Sequence, residues 1–309
     1  MLAVSVKKGK NAHLVPFPWK VSIVAFMANP PLVKSDVQAA IETITVLAKD
    51  PFFDVIEVNL MSDEAWKTIA PILQSSGVDI AVGLQPMTTA QGLNPSSVNE
   101  DERRKAVEAL SQAIEIAAAR GVKKVGFSSG ADPGPENREA AKDSLVKSLK
   151  ELASLGSRLG VSLILETFDR EWDKRQLIGP IDEAVEVVRE VRQEYSNIGL
   201  LWDLSHAPML NEKPAALVRA KDYLSHIHIG CAKKLPDGRM VDWHPGFYRP
   251  GAVNGVEDVE ELLRILAEIG YSGAVGFEVK PEEGQHWREV VEAAKGVLYT
   301  AFARVVERE

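Results

Sequence analysis

Apolar positions along this chain fall into two alternating spacings. Short runs rich in β-branched residues read as buried strands, and longer stretches with apolar residues three and four apart read as helices. The first strand is predicted over Lys20–Met27. A helix capped at Ser35, with Asp36 behind it, follows and presents Val37, Ala40, Ile41, Ile44 and Leu47 on one face. Strands are predicted next over Asp54–Leu60 and Asp79–Gln85, separated by a helix that opens at Ser62. A loop with Pro86, Gly92 and Pro95 leads into a helix whose buried stripe is Ala106, Val107, Leu110, Ala113, Ile114 and Ala117, with Gly121 as its stop. The remaining strands are Lys123–Ser128, Val161–Glu166, Ile198–Asp203, Leu224–Gly230 and Ala274–Val279. Helical stripes follow the fourth strand (Leu145, Val146, Leu149, Leu152), the seventh (Val259, Leu262, Leu263, Leu266, Ile269) and the eighth, from His286 onward.

Strict strand–helix alternation implies a parallel sheet with helices outside it. Eight strands is the closure number of the (β/α)₈, or TIM, barrel, and 309 residues suit one such α/β domain. The whole chain, 1–309, is therefore expected to be a single barrel domain, with 1–19 as an extension before the first strand. An open doubly wound sheet would need a glycine-rich phosphate loop after strand one, but Ala28-Asn29-Pro30-Pro31 stands there.

Composition narrows the functional classes. The net charge of −8 disfavours nucleic acid as a partner. The single cysteine, Cys231, allows no internal disulfide. No apolar run has the length of a signal peptide or a membrane span. The expectation is a cytoplasmic protein with no membrane partner.

In a barrel of this kind, catalytic residues sit at the C-terminal ends of the strands. Those ends carry Glu166, Asp203, His228 and Glu278, each closing an apolar run: LILE, LLWD, HIH and GFE. A buried charged group is costly unless it is paired or binds a cation. Four ligand-type residues on consecutive strands form the pattern of one metal site; the competing account is a set of strand-end ion pairs. The oxygen-rich set favours Mn²⁺, Co²⁺ or Mg²⁺, with Zn²⁺ an alternative.

A second group lies nearby. His206 stands three residues beyond Asp203, and Asp242 with His244 forms a D-x-H pair in the loop after strand seven. These three are candidates for a second ion or for substrate contact. His226 shares the inward parity of His228 but lies deeper, as a hydrogen-bonded support. Lys280, together with Glu57 and Asn59 on strand two and Arg249, Lys233, Lys234 and Arg239 from the strand-seven loop, are candidate substrate contacts, each weighed against an ordinary solvated or structural role. Cys231 is expected to be a packed residue, not a nucleophile.

The series LILE, WDLSH, HIHIG, D-W-H-P and GFEVKP resembles the xylose isomerase-like barrel superfamily, which includes ketose 3-epimerases, hydroxypyruvate isomerase, inosose dehydratase and an apurinic-site endonuclease. The resemblance implies that Glu166, Asp203, His228 and Glu278 hold a divalent metal, and that Glu166 and Glu278 exchange a proton beside a carbonyl through an enediolate. It also implies that His206 contacts substrate. The expected activity is isomerisation or epimerisation of a carbohydrate. A lyase acting on an oxidised sugar is the alternative, because the same enediolate can expel a leaving group. The resemblance further implies self-association. The chain departs from the epimerases at Cys231 and Lys234, where Glu and Arg are common. It departs from the endonuclease in having no histidines on strands two and three, which sets a zinc hydrolase of DNA aside.

Overall fold

A computed structural model describes residues 2–8 and 11–308. The chain opens with an antiparallel hairpin, β1 (Ala3–Lys8) and β2 (Asn11–Pro16). Val4 and Val6 are buried while Ser5 and Lys7 are exposed, the alternation of a strand with one face on a core. The hairpin lies against the last helix, Trp287–Arg308, and Phe17 meets Phe302 edge to face at 5.0 Å. This gives the extension a place in the fold: it covers the outside of the barrel near the closing helix.

The barrel strands are β3 (Lys20–Val24), β4 (Val55–Asn59), β5 (Asp79–Gly83), β6 (Lys124–Ser128), β7 (Ser162–Glu166), β8 (Ile198–Asp203) and β9 (Leu224–Ile229). After a small hairpin, β10 (Lys233–Lys234) and β11 (Met240–Val241), the last barrel strand is β12 (Ala274–Phe277). The eight barrel strands are parallel, and β12 closes against β3. The expected (β/α)₈ barrel is the observed fold.

Local signals set the helix ends. Ser62 caps the helix Asp63–Ser76 by accepting from Ala65 N at 3.3 Å. Gly160 ends the helix Arg138–Leu159 in the left-handed region, where a side chain would be strained. Some details differ from the sequence expectation. The first barrel strand stops at Val24, and Ala25–Ala28 turns into a short helix instead of continuing the strand to Met27. Asp36, not Ser35, caps the helix Val37–Lys49, because Ser35 is left-handed at φ 55 and its neighbour's carboxylate reaches Ala39 N. The sixth crossover has no long helix; Pro208 and Pro214 break it into the short turns Ala207–Leu210 and Pro214–Ala220.

The main apolar core fills the space between strands and helices, while inside the barrel Val55, Ala81 and Ala274 form a small separate cluster. Higher up, the interior is lined by Ser22, Glu57, Gly83, Gly126 and Gly276 and by the strand-end residues. Barrels usually fill these layers with bulky branched side chains. Here glycine and polar groups occupy them, which leaves the C-terminal end hollow.

Candidate functional site

The hollow is a cleft of about 690 Å³, and Glu57, Glu166, His228 and Glu278 reach its wall. Its apolar flank includes Phe26, Met27, Phe168 and Trp243. Parallel register brings the four strand-end residues together: Glu166 pairs with Leu201, Asp203 with His228, and Glu278 N bonds Ile229 O. One ligand atom from each of Glu166, Asp203, His228 and Glu278 lies within 4.8 Å of the others. No long-range coincidence is needed, because neighbouring parallel strands put equivalent ends side by side.

The contacts inside this group are those of donor atoms facing a common point. His228 Nδ1 lies 2.7 Å from Glu278 Oε2, yet not in hydrogen-bond alignment. Asp203 Oδ1 accepts from Ser205 N at 2.7 Å, while the buried Oδ2 has no hydrogen-bond partner among the described residues. Glu166 Oε2 accepts from Gln85 Nε2 at 2.7 Å. Burial, then the charge of Glu278, pushes the Glu166 carboxyl up to about 8. Burial would also raise Glu278, but the charges of His244 and His228 outweigh it and hold it at about 2. Asp203 is raised, chiefly by burial. Two buried carboxylates, one with an unpartnered oxygen, and the half-buried Glu278 fit a divalent cation: it would supply the charge they lack and take the lone pairs they present.

The second group also assembles. His206 Nε2 lies 3.2 Å and His244 Nε2 2.6 Å from the same oxygen, Asp242 Oδ1. His206 Nδ1 lies 2.7 Å from Thr167 O, and the ring stacks on Phe168 at 4.5 Å between centroids. Ligand atoms of Asp203, His206 and His244 again converge within 4.8 Å. His206 is fully buried and stands behind the cleft wall, which Asp242 and His244 form.

A third group was only half visible in the sequence. Glu57 Oε1 accepts from Ser22 Oγ at 2.7 Å and faces His226 Nε2 at 2.9 Å; its Oε2 faces His228 Nε2 at 3.1 Å. Burial opposes its ionisation, but the charges of His226 and His228 hold its carboxyl well below the usual range. Glu57 does reach the cleft, but both its oxygens are taken by histidines. His226 is the deeper support its parity suggested.

Of the basic candidates, Lys280 lines the cleft, its ammonium 3.6 Å above the Trp243 ring. Lys234 and Arg249 do not line it: Lys234 is exposed, and Arg249 stands half-exposed 3.6 Å from Glu282. Strand alternation on β10 turns Lys233 inward in place of Lys234. Gln85 and Lys174 are cleft residues that sequence reasoning passed over. Gln85 ends an apolar strand like the four acidic and histidine positions, but an amide draws no attention in a search for ligands. Cys231 is buried against Asn254 O, and burial pushes its thiol up to about 12.

A family model described as a xylose isomerase-like TIM barrel matches residues 38–300. The inosose isomerase of Halalkalibacterium halodurans is 29% identical over 157 residues, 50% of this chain and 52% of that protein. The 2-oxo-tetronate isomerase of Haemophilus influenzae is 26% identical over 170 residues, 55% of this chain and 60% of that protein. The chain spans about half the length of the first curated relatives it matches. Among solved structures, an IolI protein with a bound zinc atom superposes at a TM-score of 0.73 with 20% identity, covering 93% of this chain and 99% of that one. That likeness is one of fold. No helix among the described residues is long and apolar enough to cross a membrane.

Proposed function

The chain belongs to the xylose isomerase-like TIM barrel family, and from that membership we propose that it is a divalent-metal-dependent isomerase or epimerase of a sugar or sugar derivative. The observation that carries this reading is the convergence of Glu166, Asp203, His228 and Glu278 within 4.8 Å at the floor of a cleft large enough for a monosaccharide. The relatives named as isomerases of inosose and 2-oxo-tetronate support it.

Those four residues would hold the cation, and the donor set suits Mn²⁺, Co²⁺ or Mg²⁺, with Zn²⁺ also accommodated. When bound, the cation would draw electron density from substrate oxygens and so acidify the C–H beside the carbonyl. Glu166 and Glu278 both reach the cleft. One takes that proton and the other returns it. Gln85 fixes the orientation of Glu166, and Glu57 fixes that of His228. The apolar flank of Phe26, Phe168 and Trp243 limits water near the transient negative charge. Asp242 holds His206 and His244 as one unit beside this centre.

The test is isotope exchange. Metal-loaded protein is incubated with a panel of ketoses, 2-keto acids and inososes in deuterated water, and the products are read by mass and NMR. Deuterium beside the carbonyl with unchanged product formula is the expected result. Loss of water or carbon dioxide would make the protein a lyase, and no exchange with any member would count against the proposal.

A further inference from the structure

The charged groups on the cleft wall are almost all partnered. Glu57 is taken by His226 and His228, Glu166 by Gln85, and Glu278 lies against His228. Asp242 faces His206, His244 and Lys174. Lys174 bonds Asp173 at 2.9 Å and lies 3.3 Å from Asp242 Oδ2, while Lys233 pairs with Glu282. Lys280 is the exception. It has no carboxylate partner among the described residues, and its ammonium rests only on the Trp243 ring.

Its position is fixed by more than the side chain. Lys280 N bonds His244 O at 2.7 Å, and its backbone pairs with Pro245 in a parallel bridge. The residue is half-buried and lies on the same wall as Lys174, whose positive charge it feels. A half-buried cation held over an aromatic face, near a second cation and with no carboxylate in contact among the described residues, Asp242 acting on it only from a distance, is an arrangement an incoming anion completes.

We propose that the substrate carries an anionic group, a carboxylate or a phosphate monoester, away from its reacting carbons, and that Lys280 receives it. This rests on the isomerase reading above and narrows it from sugars in general to acidic or phosphorylated ones. Lys280 then sets specificity: it anchors the far end, and the carboxylates of the centre act on the near end.

The experiment is calorimetric titration of zinc-reconstituted protein with erythritol, erythronate and erythritol 4-phosphate, which differ only at one end. At least one anion should bind on the order of tenfold more tightly than erythritol, in line with hydrogen bonds to charged groups. Lys280→Met should abolish that ratio and Lys280→Arg should keep most of it. Which anion gains identifies the group. Because a carboxylate can also approach the metal directly, a ratio that survives in Lys280→Met overturns the inference. So does equal binding of all three by the unaltered protein; both outcomes leave the isomerase reading intact. Failure of all three to bind would count against both.

Discussion

Glu57→Gln tests how the site holds its imidazole ligand. Among the described residues, Glu57 alone bonds both His226 Nε2 and His228 Nε2, at 2.9 and 3.1 Å, and it also accepts from Ser22 Oγ at 2.7 Å. An ionised carboxylate accepts from all three, which keeps a proton on His228 Nε2 and leaves Nδ1 to face Glu278 and the cation position. Glutamine has nearly the same shape, but one of its ends donates. At least one histidine must then either meet an NH₂ with its own N–H or change tautomer, and in His228 the changed tautomer blocks Nδ1. A buried donor left unsatisfied costs about 1–3 kcal/mol, which corresponds to a factor of about 5–150 in an equilibrium constant. Substitution of outer partners of metal-bound histidines typically costs about 10–100-fold in metal affinity, so the two estimates agree. The assay is zinc affinity by chelator competition at fixed pH for the wild type, Glu57→Gln and Glu57→Asp. It is joined by NMR of zinc-loaded protein labelled with ¹⁵N-histidine, where the wild type should keep a slowly exchanging proton on His228 Nε2. Affinity of Glu57→Gln within twofold of wild type, with that proton unchanged, would refute the argument that Glu57 sets the tautomer.

Glu166→Gln and Glu278→Gln should each lower isotope exchange by about 10²–10⁴-fold with the circular dichroism spectrum intact; near wild-type exchange in either would remove the two-carboxylate mechanism. Zinc binding at pH 7 should release protons, because in the metal-free protein Glu166 sits at about 8 and is largely protonated, and it must ionise to donate. Affinity should therefore rise with pH through neutrality and go on rising past pH 8, because His228, which burial would lower but the charges of Glu57 and Glu278 hold well above the usual imidazole range, must also lose a proton to donate; buffers of differing ionisation enthalpy will show whether proton release is absent. Gly230→Ala would place a Cβ 2.3 Å from the carbonyl oxygen of Glu278. Urea titration should show a loss of about 1–3 kcal/mol from overpacking, and zinc affinity should fall with it; unchanged values would mean that the two loops have more freedom than the structure gives them.

How much of this could be read from the sequence depended on distance along the sheet. The four strand-end residues were legible because each interrupts an apolar run with a group that burial penalises, and because adjacent parallel strands align their ends automatically. The role of Glu57 was not. Its partners are on β9, and β12 and β3 stand between β9 and β4, so their meeting is a property of the closed cylinder and no spacing in the chain reports it. Between the neighbouring candidates Lys233 and Lys234 the sequence could not choose; a two-residue hairpin fixes that Lys233 turns inward. The hairpin strands Ala3–Lys8 and Asn11–Pro16 carry a readable signal, Val4 and Val6 alternating with Ser5 and Lys7, but they stand outside the strand–helix rhythm that predicts the barrel.

The glycines argue that the polar centre and the barrel's shape were settled together. A Cβ on Gly276 would fall 2.4 Å from Ser22 Oγ, 2.9 Å from Glu57 Oε1 and 3.0 Å from the His228 ring. Gly126 leaves room for Gln85 in the same way, with its absent Cβ 3.1 Å from Nε2. Neither position has the positive φ that demands glycine for backbone reasons. The requirement is space across the barrel for side chains that hold Glu166 and His228 from behind. Filling these layers with the usual valine and isoleucine would add apolar burial but remove both supports. A barrel that keeps a hollow, polar upper layer gives up packing where it positions ligands, and recovers its stability from the apolar layer between strands and helices, where the core is continuous. Gly126 and Gly276 thus belong to the same device as the side chains they make room for, Gln85 behind Glu166 and Glu57 behind His228.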